Sequence, residues 1–82
     1  MRILHIIRSL TEKTPLEVAH LQQEQGHKIT ILLLHDAVLR TDTQEFKTYL
    51  CAADARARNL TGGIEYSEII DLLTSHDRVI SW

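Results

Sequence analysis

Cysteine, proline, glycine and aromatic residues are all scarce in this chain of 82 residues, which holds one Cys, one Pro, three Gly and 5% aromatics. A single cysteine forms no internal disulfide. That excludes a secreted disulfide scaffold and any structural zinc site built on two or more thiolates. No linker, repeat or low-complexity stretch divides the chain, so residues 1–82 read as one small domain. Positive charge is in short supply too, with 9 Lys and Arg against 11 Asp and Glu for a net charge of −2. Nucleic-acid modules need a cationic excess to neutralise phosphates, so direct RNA or DNA binding is not expected. Long apolar runs are also missing. Segments such as Ile31 to Leu34 fall far below the roughly 20 residues that span a bilayer. The short run Ile3 to Ile7 meets Arg8 and Glu12 before it could serve as a signal-peptide core. The expectation is a soluble, reduced, cytoplasmic protein with no membrane role.

What is present is an alternating strand and helix pattern. Arg2 to Ile7 is apolar, β-branched and too short for a stable helix, as expected of a strand buried on both faces. Thr14-Pro15-Leu16-Glu17 places an N-cap hydroxyl, a proline at N1 and a carboxylate at N3, which predicts a helix starting there. Val18 and Leu21, flanked by Leu16 and Ala19, form its apolar stripe, and Gly26 ends it near Gln25. Lys28 to Leu34 is a second strand almost without alternation, so the unit is βαβ and the sheet parallel. Arg40 to Glu45 reads as a polar loop and Phe46 to Cys51 as a weaker third strand, with Tyr49 and Cys51 on one face and Thr48 and Leu50 on the other. Ala52 to Asn59 suits a short helix with a basic last turn that Asn59 would cap. Beyond the turn Thr61-Gly62-Gly63, Ile64 to Tyr66 is a minimal strand and Ser67 to Ser75 a helix burying Ile69, Ile70, Leu72 and Leu73. Arg78 to Trp82 closes the chain as a short strand or docked tail. Trp82 either fills an oligomer interface or packs on its own domain.

The fold class expected is α/β: a small, mostly parallel sheet of four or five strands with helices on both faces, in Rossmann-like layering. A chain this short buries only about 60–65% of the surface its unfolded form exposes, so an oligomeric partner would help it.

Cys51 is the sharpest chemical feature. It lies at the C-terminal end of a strand and just before a helix, whose backbone N–H groups favour a thiolate and hence a nucleophilic sulfur. The alternative is a cysteine that packs as a small hydrophobe. With no resolving partner in the chain, a reactive thiol here suits a persulfide or mixed-disulfide carrier. His35 and Asp36 follow the second strand at the same sheet edge, where ligands bind in open α/β sheets. His35 either pairs with the thiol or is an ordinary strand-end histidine, and Asp36 either supports it or caps a helix. His5, His20, His27, His35 and His76 include no i, i+4 pair and no HExxH, so no metal is assigned. A phosphate-binding loop is disfavoured because Ser9 to Thr14 contains no glycine.

Cys51-Ala52-Ala53-Asp54-Ala55-Arg56-Ala57-Arg58-Asn59-Leu60 resembles the segment around the sulfur-accepting cysteine in the DsrE/TusD branch of the DsrE/DsrF/DsrH family. There an Ala-rich turn is followed by Arg-Gly and an apolar residue. Asn59 replaces the glycine here, a mild departure because Asn tolerates the left-handed conformation. His5 to Ser9, Ile31 to Val38, Ile64 to Leu73 and Ser81-Trp82 are similar to the short DsrH/TusB branch. In that branch the second strand commonly runs into Gln-Asp-Gly-Val, where this chain has His35-Asp36-Ala37-Val38. Length and both ends thus resemble a subunit that typically lacks a cysteine at this place, while Cys51 sits where the catalytic subunit has one. The resemblance implies a cytoplasmic sulfur-relay protein without cofactor, working as a homo-oligomer or with DsrE/DsrF-like subunits. It would stand between an upstream persulfide donor and a downstream sulfur carrier, serving tRNA 2-thiouridine synthesis or sulfur oxidation. Carried over to this chain, Cys51 is the sulfur acceptor. Arg56 or Arg58 would favour an anionic persulfide or else form a solvated helix face. The alternative within the same family is a non-catalytic assembly subunit with a structural cysteine.

Overall fold

A computed structural model describes all of Met1–Trp82. The elements run β1 (Arg2–Ile7), α1 (Thr14–Glu24), β2 (Lys28–Leu33), a 3₁₀ segment (His35–Leu39), β3 (Lys47–Leu50), α2 (Ala52–Ala57), α3 (Tyr66–Ser75) and β4 (Arg78–Ser81). The four strands form one all-parallel sheet in the order β3-β2-β1-β4. β1 and β2 are paired from Arg2 with Lys28 to Ile7 with Leu33, which places the two most apolar strands at the centre. The chain is therefore an α/β domain of the expected class. β1 connects to β2 in one direction across the sheet, and β3 connects to β4 in the other. Right-handed crossovers then set α1 on one face and α2 with α3 on the opposite face.

On the α1 face, Ile3, Ile7, Ile29, Ile31 and Leu33 are buried together with Leu16 and Ala19 of the helix. Each fully buried Ile or Leu contributes about 1.5–3 kcal/mol relative to exposure. The stripe of α1 is rotated from the expected one: Leu16 and Ala19 face the sheet, the next turn presents half-buried Gln22, and Leu21 is exposed. Gln22 occupies that position because it bonds to a buried histidine in β1. The helix also begins differently. Lys13 stands at the N-cap with near-helical φ −95° and ψ −23°, no side chain caps it, and Thr14 is its first helical residue. Ser9 Oγ accepts the N–H groups of Thr11 and Glu12 just upstream, a local turn that delivers the chain into the helix without the threonine cap. At its far end Gly26, at φ +94°, closes the helix as expected. Gly26 N–H bonds to Gln23 O and His27 N–H to Gln22 O, the paired bonds of a Schellman ending.

The other face is covered more thinly. Leu4 and Leu32 are fully buried there, but α3 buries none of its own residues. Ile69 and Leu72 are half-buried, whereas Ile70 and Leu73, expected in the core, are exposed together with Tyr66. Residues 66, 70 and 73 share one side of the helix at i, i+4, i+7, so the apolar stripe is turned partly off the sheet. His76 fixes the rotation: one ring nitrogen lies 2.8 Å from Leu72 O and the other 3.0 Å from Thr30 Oγ1 of β2. The minimal strand expected at Ile64 to Tyr66 is a single parallel bridge between Cys51 and Ile64, and α3 already starts at Tyr66. The expected third strand is shorter, because Phe46 leaves the ladder to join the core.

The loop after the 3₁₀ segment is polar in sequence but not in placement. The Arg40 side chain is 1% exposed. It donates to both carboxylate oxygens of Asp42 at 2.9 Å and to Ser9 O and Glu12 O at 2.9 and 2.8 Å. A buried guanidinium needs such full satisfaction. Here it clamps the loop after β1 to the loop before β3.

Candidate functional site

The carboxyl ends of β2 and β3 bring together the 3₁₀ segment, the start of α2 and the loop around Gly63. Cys51 follows β3 directly. Its N–H donates to Leu33 O, continuing the ladder by one residue, and its carbonyl accepts from Ala55 N–H to open α2. The thiol is free and half-buried. A second backbone layer pins the same point: Ile64 N–H donates to Leu50 O at 2.7 Å, and Ala52 N–H donates to Ile64 O at 2.9 Å. Gly63 makes this approach possible. At φ +93°, a Cβ there would lie 2.9 Å from the Ala52 backbone and from Leu50 O, closer than real side chains come.

Two features of the expected thiol environment differ. α2 is only six residues long, and the N–H of its first residue is spent on Ile64 O, so a helix-end effect on the sulfur is weak. The expected pairing of His35 with the thiol does not form. Asp54 stands there instead, taking the His35 backbone N–H on Oδ2 at 2.8 Å, with His35 Nδ1 4.0 Å from Oδ1. The His35 backbone N–H bond, joined by contact with the Cys51 thiol and by the nearby His35 and Arg58 side chains, holds this carboxyl below its ordinary range against the opposing effect of burial. Asp54 is thus the group that ties the first turn of α2, directly after Cys51, to the segment following β2. Only its place three residues after Cys51, in the first turn of a helix, hinted at that role in the sequence.

His35 adopts φ +53°, an uncommon left-handed conformation for a residue other than glycine, which turns its N–H toward Asp54. Asp36 does not cap the 3₁₀ segment; it accepts Arg58 Nε and Nη2 on Oδ1 at 3.1 and 2.8 Å. Arg58 also donates to Asp54 O at 3.0 Å, so this arginine ties α2 to the segment after β2. Arg56 points elsewhere, pairing with Glu65 at 3.0 Å in an exposed contact. Cys51, His35, Asp36 and Arg58 therefore share one edge, and Arg56 stands outside the cluster. Asn59 has φ +60° and closes α2 as a glycine would: its N–H bonds to Arg56 O and that of Leu60 to Ala55 O.

An open cleft of about 260 Å³ lies between β3 and α3, lined by Tyr49, Ile64, Glu68, Asp71, Leu72 and Ser75. Tyr49 and Cys51 are two apart along the strand direction and share a face, so the cleft begins two residues from the thiol. Cys51 itself does not line it. No three His, Cys, Asp or Glu side chains meet in an arrangement that would hold a metal ion, and no helix is long and apolar enough to cross a membrane.

No protein-family model, curated protein or solved structure matches the chain.

Proposed function

We propose that this chain is a sulfur-relay protein that accepts sulfane sulfur on Cys51 and passes it to a partner protein. The observation that carries the reading is the placement of the only thiol, half-exposed on the carboxyl edge of a parallel sheet, with its backbone fixed from two sides. In the step proposed, the Cys51 sulfur attacks the terminal sulfur of a donor persulfide R–S–SH. The donor S–S bond breaks as the new one forms, giving Cys51–S–SH and R–SH. The Cys51 proton ends on the departing thiol, and no electrons are gained or lost overall. Delivery repeats the exchange with an acceptor thiol, because the chain contains no second cysteine to finish it internally. The motif resemblance to the DsrE/DsrF/DsrH family supports this assignment and a cytoplasmic setting. It points to an oligomer of this chain or one with DsrE/DsrF-like subunits, and to tRNA thiolation or sulfur oxidation as the end use.

Intact-mass measurement tests the reading. After incubation of reduced protein with a cysteine desulfurase and cysteine, or with polysulfide, the wild type should gain one sulfur atom and Cys51→Ser none. No gain under conditions that load a known persulfide carrier overturns it.

A second reading is favoured by one observation, the uncovered side of α3 formed by Tyr66, Ile70 and Leu73. In this reading the chain is an assembly subunit and Cys51 a packing residue. Cys51→Ser would then leave the activity of the assembled complex unchanged.

A further inference from the structure

His5 is fully buried at the middle of β1 with both ring nitrogens engaged: Trp82 Nε1 donates to Nδ1 at 2.9 Å, and Nε2 lies 2.6 Å from Gln22 Oε1. An indole N–H can only donate, so Nδ1 is an acceptor. A neutral imidazole must then carry its proton on Nε2 and give it to the Gln22 carbonyl oxygen. One tautomer of the neutral ring satisfies every partner. The imidazolium does not, because it has two donors and no acceptor, and its Nδ1–H would face the Trp82 N–H.

The geometry points to an acid-released clasp, in which protonation of His5 expels Trp82 from the ring and frees the end of β4 from β1. Beyond the indole, that end is kept by the Trp82 N–H on Ile6 O and by Arg8 Nε on the Trp82 terminal oxygen, at 2.9 and 3.1 Å, and by the packing of Ile80 and Trp82 against the core. β4 is an edge strand with Val79 exposed. Release of that end would bare the carboxyl end of the outer edge of β1, where unpaired backbone donors and acceptors are open to another strand.

No group around the ring offsets an imidazolium charge. The neighbours of His5 in the sheet are Ile31 on β2 and Ile80 on β4. α1 presents neutral Gln22; its Glu17 and Glu24 are exposed, and His20 lies against Glu45 and Phe46. On the Trp82 side the Arg8 guanidinium is spent on the terminal oxygen of Trp82. Burial pushes the His5 pKa below the ordinary 6.5, with the Gln22 bond partly restoring it. The sign follows from linkage: below pH 6.5 the released state takes up a proton that the clasped state refuses, so the clasp is secure at neutral pH and weakens as pH falls.

Trp82 is the chain's only tryptophan, so its fluorescence and acrylamide quenching report the clasp directly. On lowering the pH of the full chain from about 8 to about 4.5, Trp82 should become more quenchable with a midpoint below 6.5, while far-UV circular dichroism stays near native. His5→Gln should abolish the transition. Gln22→Leu, which removes the acceptor of the Nε2 proton, should move the midpoint lower still, and it decides the matter if His5→Gln does not fold. The proposal is overturned by a quenching profile flat across this range, by a midpoint unchanged in Gln22→Leu, or by loss of helix signal at the same midpoint.

Discussion

The two crossover helices of this domain are nearly equal in length, 11 residues for α1 and 10 for α3, yet they bury very different amounts. α3 is the more apolar, with Ile69, Ile70, Leu72 and Leu73 within five residues, but it buries none of them, whereas α1 with Pro15, Leu16 and Ala19 buried closes the main core. The connections explain the contrast. α1 joins adjacent strands and lies along both, while α3 must carry the chain from β3 at one edge of the sheet to β4 at the other. Apolar content therefore does not decide burial here; the span that the connection must cover does. The result is a domain stabilised from one face, with the cysteine edge and an uncovered helix side left to the other elements.

Truncations of increasing mildness break or sharpen that contrast. The largest effect is expected for Ile31→Ala on the α1 face, a loss of about 2–5 kcal/mol in urea unfolding. A loss below about 1 kcal/mol would mean that the sealed core is not the source of stability. Gly63→Ala forces a Cβ against the Ala52 backbone at a positive φ, and should cost about 1–3 kcal/mol while slowing sulfur loading of Cys51. Wild-type loading in that variant would separate the glycine from the site. Asp54→Asn is expected to cost about 1 kcal/mol near pH 7, mainly by weakening the bond to His35 N–H. Because the folded carboxyl is held below 3.8, its contribution is present above that pH and lost as pH falls through the lower folded value. Stability curves of wild type and variant should converge in acid, and parallel curves would rule out the carboxylate as the cause. Ile70→Ala and Leu73→Ala should be smallest, within about 0.5 kcal/mol in the monomer. A larger cost that depends on protein concentration would show that an oligomer covers this side.

Much of the fold can be read from the residues because the central strands are nearly continuous apolar runs, the pattern typical of a doubly covered parallel sheet. Gly26 and Asn59 marked helix ends correctly, since left-handed backbone favours those two residue types. The capping pattern at Thr14 is not used: Pro15 fits either of the first two helical positions, and Lys13 leads into the helix without a side-chain cap. The buried stripes of α1 and α3 depart from the local pattern for a different reason. Each is rotated by a polar anchor formed with a residue distant in sequence, Gln22 with His5 and His76 with Thr30, and no local periodicity reports such a bond. At the site, Cys51, His35 and Asp36 are legible from their positions beside strand ends, and Arg56 and Arg58 from the segment that follows the cysteine, but Asp54 is not. It reads as an ordinary first-turn carboxylate until β2 is placed next to β3. The burial of Arg40 is hidden likewise, as two of its acceptors, Ser9 O and Glu12 O, lie on a loop that the sequence places some thirty residues away.

The central claim is that Cys51 is a chemical site presented by the folded domain. The most direct test is the rate of Cys51 alkylation by iodoacetamide as urea is raised through the range where the chain remains folded. A thiol presented by the native state reacts at a rate nearly independent of urea until unfolding begins, and this is the result expected. A rate that climbs exponentially from the lowest urea concentrations, in step with the free energy of global opening, would show that the sulfur reacts only in the unfolded chain and would contradict the account.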